Sequence, residues 1–192
     1  MTPWHAGVSA WTTPRERSQP APGVRLTRGP FDGGAESAAL RSALARFATG
    51  VTLATCCDAG GASVGLTVNS FGALSLRPPL VQWSLRAESP SLAAFQVAEH
   101  FAINVLCEQH LELSRRFAAP QVDRFEHGRW HAGRLGCPVL AGALAVFECR
   151  RTHSQRHGDH VLFVGEVLHH AAHTGAPLLF QASRYRRVGD PL

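Results

Sequence analysis

The chain has no lysine; its nineteen basic residues are all arginine, and it holds one tyrosine and one methionine. A nucleic-acid binder would cluster its arginines among aromatics. Here they are scattered, with only short pairs such as Arg115-Arg116, Arg150-Arg151 and Arg186-Arg187. Nucleic acid is therefore not the expected partner, and the net charge of +5 suits an anionic small ligand equally well. No stretch approaches the ~20 apolar residues of a membrane span. The opening M-T-P-W-H-A-G-V lacks the basic-then-apolar order of a secretory signal. The expected location is the cytoplasm, with no membrane partner.

Also missing is any C-x-x-C. The five cysteines (Cys56, Cys57, Cys107, Cys137 and Cys149) are odd in number, which disfavours a disulfide framework or a zinc ribbon. Each lies in an apolar run, where free cysteine behaves as a small buried hydrophobe. None stands in a basic or helix-start setting that would activate it as a nucleophile. No G-x-G-x-x-G links a strand to a helix, which excludes a Rossmann dinucleotide site.

What is present is enough apolar residue, 45%, for a core that buries roughly 70% of the unfolded surface. Residues 1–34 are rich in proline, glycine and serine and predict a flexible extension, leaving 35–192 as one domain. Leu40, Ala43, Leu44 and Phe47 recur at helical spacing, predicting an amphipathic helix that packs on its neighbours and stops near Gly50. Strands are predicted at 51–55, 63–69, 80–85, 101–106, 145–152 and 160–169, with 177–180 and 184–188 finishing the sheet. Ser89-Pro90 predicts a serine-capped start for a short helix over 91–97, and 108–117 reads as another helix. Residues 120–138 read as irregular, with Phe125 and Trp130 as anchors. Strands outnumber helices without regular alternation. The predicted fold is mainly β with peripheral helices, a closed antiparallel barrel.

Three polar stretches carry candidate chemistry. Gly65-Leu66-Thr67-Val68-Asn69-Ser70-Phe71-Gly72 puts hydroxyl and amide groups on a strand. Thr67 and Asn69 face one side, Val68 and Ser70 the other. Arg86-Ala87-Glu88-Ser89-Pro90-Ser91 joins an arginine to a helix start, where free amides attract phosphate. Taken singly, these fit a surface strand and an ordinary cap equally well. The third stretch, Arg156-His157-Gly158-Asp159-His160, leaves four options: a metal, a proton transfer, a nucleotide, or a mere turn. Zinc needs three or four converging ligands. The nearby His153, His169, His170 and His173 give no such pattern, and His169-His170 point to opposite faces of a strand. No metal is expected.

Taken together, several stretches are more specific. R-F-A-T-G-V-T (46–52), G-L-T-V-N-S-F (65–71), S-L-R-P-P-L-V (75–81), F-A-I-N-V-L (101–106), G-C-P-V-L (136–140), E-C (148–149) and H-G-D-H with V-G-E-V (157–167) follow in an order that resembles the flavin reductase family. These are the short-chain NAD(P)H:flavin oxidoreductases that serve two-component monooxygenases. The likeness spans about residues 38–188. It implies an FMN-binding split β-barrel with Greek-key features, usually a homodimer, with flavin in a groove near the dimer interface. FMN or FAD would be the flavin, NADH or NADPH the co-substrate, and a separate oxygenase the partner.

The resemblance also assigns residues. Thr67, Val68, Asn69 and Ser70 would meet the ring edge, ribityl chain and phosphate. Ser84, Leu85 and Arg86 lead to Ser91, which would meet the phosphate. Phe117 and Ala118 match the family's F-A after the second helix. Gly158, Asp159 and His160 match its G-D-H element, beside the nicotinamide nucleotide and the flavin ring. His160 is the candidate catalytic-site residue, as a positioning and polarising group. Tyr185 matches the closing aromatic, expected at the pocket edge. Two rival functions on the same barrel are a flavin carrier or sensor without turnover and a heme-binding protein. The G-D-H element favours the reductase.

Overall fold

The computed structural model describes residues 34–120 and 123–190. The chain divides into two units, residues 1–41 and 42–192. Of the predicted extension, only Gly34 lies among the described residues; the rest is outside them. Helix α1, Ala35–Leu44, starts close to the predicted position. It does not gain the expected cover for its apolar side: Leu44 and, just beyond, Phe47 stand exposed.

Residues 42–192 form a mainly antiparallel β-structure. Its strands are β1 (Thr49–Gly50), β2 (Thr52–Cys57), β3 (Ser63–Val68), β4 (Gly72–Leu76), β5 (Pro79–Arg86), β6 (His100–Val105), β7 (Trp130–Ala132), β8 (Pro138–Leu140), β9 (Ala145–His157), β10 (His160–Ala172), β11 (Leu179–Gln181) and β12 (Arg184–Arg186). Helices α2 (Leu92–Val97) and α3 (Leu111–Ala118) lie between strands, the latter after a 3-10 turn over Glu108–His110.

Seven strands make the main sheet in the order β3-β2-β6-β9-β10-β5-β4. Its two end strands, β3 and β4, are separated in sequence by only residues 69–71. One extended segment thus pairs first with β2 and then with β5, which curls the sheet back on itself. Alternation explains the inside and the outside. Val81, Trp83 and Leu85 of β5, and Val161 and Phe163 of β10, point into the barrel and are buried. There Trp83 stacks on Phe163 at 4.7 Å between ring centroids and meets Phe95 edge-on at 4.9 Å. Ser84, Arg86 and His160 alternate with these and face outward. Gly165 stands where an added Cβ would come within 2.4 Å of the Phe101 ring, so only glycine lets that aromatic pack on β10.

Four local expectations differ. Strands β9 and β10 each run 13 residues, because their hairpin keeps pairing up to a turn at Gly158 and Asp159. Residues 120–138 are not wholly irregular: β7 pairs with β8. There Phe117, Phe125 and Trp130 form an aromatic trio with centroids 4.9–5.4 Å apart. The last two strands do not finish the main sheet but join β1 in a separate one. The N-cap position of helix α2 is Ser91, not Ser89, and the Ser91 side chain makes no capping bond; the Ser89 carbonyl and hydroxyl accept from the Leu92 and Ser91 amides in the turn before it. Among the described residues no helix is long and apolar enough to cross a membrane.

Candidate functional site

The corner where β3 turns into β4 borders an open cleft of about 570 Å³ on the outer face of the barrel. Its walls come from several segments of the chain. The corner supplies Thr67, Val68, Asn69 and Ser70; β5 supplies Ser84, Leu85 and Arg86. The loop before α2 brings Ser91, and the end of α3 brings Phe117 and Ala118. His160 completes it from the hairpin. Sheet register explains the last placement, since His160 pairs with Arg86 on one side and His157 on the other.

The hydrogen bonds sort these side chains into committed and available groups. The Thr67 hydroxyl donates to the Ser114 carbonyl at 2.6 Å, tying β3 to α3. The Ser70 hydroxyl bonds both the amide and the carbonyl of Ser84, at 2.9 and 3.1 Å. Both hydroxyl protons are therefore spent inside the protein. Asn69 and Ser91 differ: neither side chain makes a hydrogen bond among the described residues, although Ser91 is only 6% exposed. Their polar groups face the cleft and are available to a ligand. Phe117, fully buried, forms the cleft's apolar base.

The hairpin turn lies at the cleft's end. Gly158 takes φ +60°, which glycine adopts without strain at the first position of such a turn. The Asp159 carbonyl accepts the Ala87 amide at 2.8 Å, fastening the turn to the end of β5. The Asp159 carboxylate lies 2.9 Å from His160 Nδ1. That hydrogen bond, and then the charge of the imidazole, hold the exposed Asp159 carboxyl below the usual carboxylate range. Gly158 and Asp159 thus support His160 without lining the cleft.

Tyr185 is not at the pocket edge. Its hydroxyl lies 3.0 Å from Ser114 Oγ, and its ring packs on Phe180 at 5.3 Å and beneath Arg115. Helix α3 separates it from the cleft, because β12 belongs to the small sheet and not to the barrel wall.

One cleft residue has no signal in the sequence. Arg124 sits in the stretch read as irregular, next to the anchor Phe125. Its guanidinium donates to the carbonyls of Gly65 at 2.9 Å and Ala119 at 3.1 Å, and its buried Nε has no partner. Its partners are neutral carbonyls, and among the described residues it forms no ion pair with a carboxylate within 4.0 Å.

Other chemistries find no footing. Among the described residues no three His, Cys, Asp or Glu side chains gather as a metal site. Burial pushes the Cys56, Cys137 and Cys149 thiols up to about 12, with neighbouring thiols adding to it. Gly61-Ala62-Ser63-Val64-Gly65 spells G-x-S-x-G, but a nucleophile elbow needs its serine on a strand-to-helix turn, and Ser63 opens strand β3.

Comparison with known proteins adds to this geometry. Residues 44–189 match the flavin reductase like domain. The chain is 44% identical over 155 residues to FMN reductase (NADH) SmoA of Agrobacterium fabrum, covering 81% of this chain and 88% of that protein. It also spans 42% of a longer probable flavin reductase of Rhizobium meliloti, at 44% identity over 67% of this chain. Among solved structures, NADH:FAD oxidoreductase SgcE6 of Streptomyces globisporus, in complex with NAD and FAD fragments, superposes with a TM-score of 0.77 at 31% identity, covering 84% of this chain and 98% of that one. The styrene monooxygenase flavin reductase of Pseudomonas putida gives 0.73 at 34% identity, covering 79% and 98%.

Proposed function

The chain belongs to the flavin reductase like family, and on that premise we propose that it oxidises NADH or NADPH, reduces FMN or FAD, and supplies the reduced flavin to a separate monooxygenase component. The observation that carries this reading is the outer cleft, where Asn69 and Ser91 keep side-chain polar groups without hydrogen-bond partners among the described residues.

The residues present fit a flavin. Bound there, flavin would supply an acceptor for the hydride of a dihydronicotinamide; the step needs closeness and exclusion of water more than a protein acid or base. Ser91 offers a hydroxyl to a phosphate, and Arg124 and Arg86 supply positive charge nearby. Arg86 is partly matched by Glu88 at 3.4 Å, on the surface. Asn69 presents both an amide donor and a carbonyl acceptor to the edge of a polar ring. Phe117 gives an apolar floor and keeps water from beneath it. His160, held by Asp159, positions and polarises the nucleotide at the open end.

We take residues 35–192 as the reductase domain and 1–34 as an extension. A cytoplasmic location belongs to the same reading, since nicotinamide nucleotides are held there. So does a homodimer, for which the exposed Leu74 and Leu76 on end strand β4 offer apolar surface.

The test is an anaerobic assay of NADH or NADPH with added FMN or FAD. Flavin absorbance should bleach in near-stoichiometric step with nucleotide oxidation. Flavin retained without nucleotide oxidation would replace the reductase with a carrier.

A further inference from the structure

Beyond Ser91 and Arg124 the cleft does not end. A second groove of about 810 Å³ continues from it, and Pro90, Ser91 and Arg124 line both. We propose that this groove holds the adenosine half of FAD, so that the protein binds FAD in preference to FMN. The inference rests on the flavin reading above, which puts a flavin phosphate at Ser91.

A ligand whose phosphate lies at Ser91 and Arg124 has its next group in the second groove. FMN ends at that phosphate; FAD carries a second phosphate and adenosine beyond it. Charge is consistent with this at the junction, where Arg124 bonds only carbonyls and keeps its positive charge for an anion.

The groove's chemistry suits a neutral nucleoside. Val97 is 63% exposed on its wall, and Phe125 is part of its lining. A flat base laid against them would remove apolar surface from water, at about 25 cal/mol per Å². Asp58 and Asp123 also line it, so an anion is favoured only at the Arg124 junction, where the second phosphate would stay, and the groove beyond suits an uncharged group. One oxygen of Asp58 accepts the Gly60 and Ala62 amides, both at 2.9 Å, and its other oxygen makes no hydrogen bond among the described residues. Ribose hydroxyls are donors that such a carboxylate accepts, as in other adenosine sites.

The experiment titrates flavin-free protein with FMN and with FAD, following quenching of flavin fluorescence without any nicotinamide nucleotide. The expected Kd for FAD is at least about tenfold below that for FMN. In Val97→Glu, a surface change, the FAD Kd should rise about tenfold and the FMN Kd stay within about twofold of wild type. The FMN value doubles as the control that the cleft is folded. Equal wild-type affinities for the two flavins would overturn the proposal. So would equal weakening of both in Val97→Glu. A raised KM for NADH with the FAD Kd unchanged would also overturn it, giving the groove to the nicotinamide nucleotide. Binding of neither flavin would instead remove the flavin reading itself, and this inference with it.

Discussion

The Ser70 hydroxyl accepts a hydrogen bond from the Ser84 amide at 2.9 Å and donates one to the Ser84 carbonyl at 3.1 Å. Ser70 stands opposite Ser84 in the continued register that pairs Gly72 with Gln82. One side chain therefore stands in for two ladder bonds at the corner where the sheet closes. This residue, named from sequence as a flavin contact, lines the cleft while spending its hydroxyl proton on the wall.

For Ser70→Ala we expect a loss of about 1–2 kcal/mol, two ordinary hydrogen bonds in a partly wetted place. The melting temperature should fall by a few degrees. An unchanged melting curve would show that the seam holds without them.

Ser91→Ala removes a hydroxyl that no other described residue uses. The Kd for flavin should rise about tenfold, the range for a hydrogen bond to a charged group, with no loss of thermal stability. Unaltered flavin affinity in a direct titration would remove the phosphate from Ser91.

The Asp159–His160 contact favours the ionised carboxylate. Its contribution is present above the ordinary carboxylate range and is lost as pH falls through the depressed value of Asp159. Because this carboxylate is exposed, the effect belongs in nucleotide use and not in stability. His160→Ala should raise the KM for the nucleotide about tenfold while flavin Kd is mostly kept. Asp159→Asn should raise it less, with an unchanged melting temperature. Steady-state kinetics at neutral pH check both; a wild-type KM and kcat in His160→Ala would discard its positioning role.

Gly65→Ala tests how the cleft floor is seated. An added Cβ would come within 2.8 Å of Phe117 Cε1 and 3.2 Å of Phe125 Cζ. Overpacking of this kind costs about 1–3 kcal/mol, or roughly 2–4 °C in Tm per kcal/mol for a chain of this size. Flavin Kd should rise with it, since Phe117 must shift. Calorimetry and titration of the same variant would show whether the two move together.

The barrel was legible because alternation is local. Trp83 and Leu85 inward, Ser84 and Arg86 outward, follow from period two along β5, and the turn at Gly158 follows from glycine's freedom. The order of short polar motifs carried the family, and with it most of the cleft's lining. Local pattern failed where neighbours decide. Residues 130–132 and 138–140 pair where Phe117, Phe125 and Trp130 pack together, and the exposure of Leu44 and Phe47 contradicts the helical stripe that contains them.

From sequence alone came most of the long strands and which side chains could carry polar chemistry, since backbone geometry and hydrophobicity act over a few residues. Only the tertiary structure decided which of those groups were already occupied. Thr67, Ser70 and Tyr185 found partners at Ser114 and Ser84, distant in the chain, while Ser91 and Asn69 did not. Arg124 entered the same cleft from a stretch without periodicity. A hydrogen bond is satisfied in space, and the chain must close before its donors and acceptors can be counted.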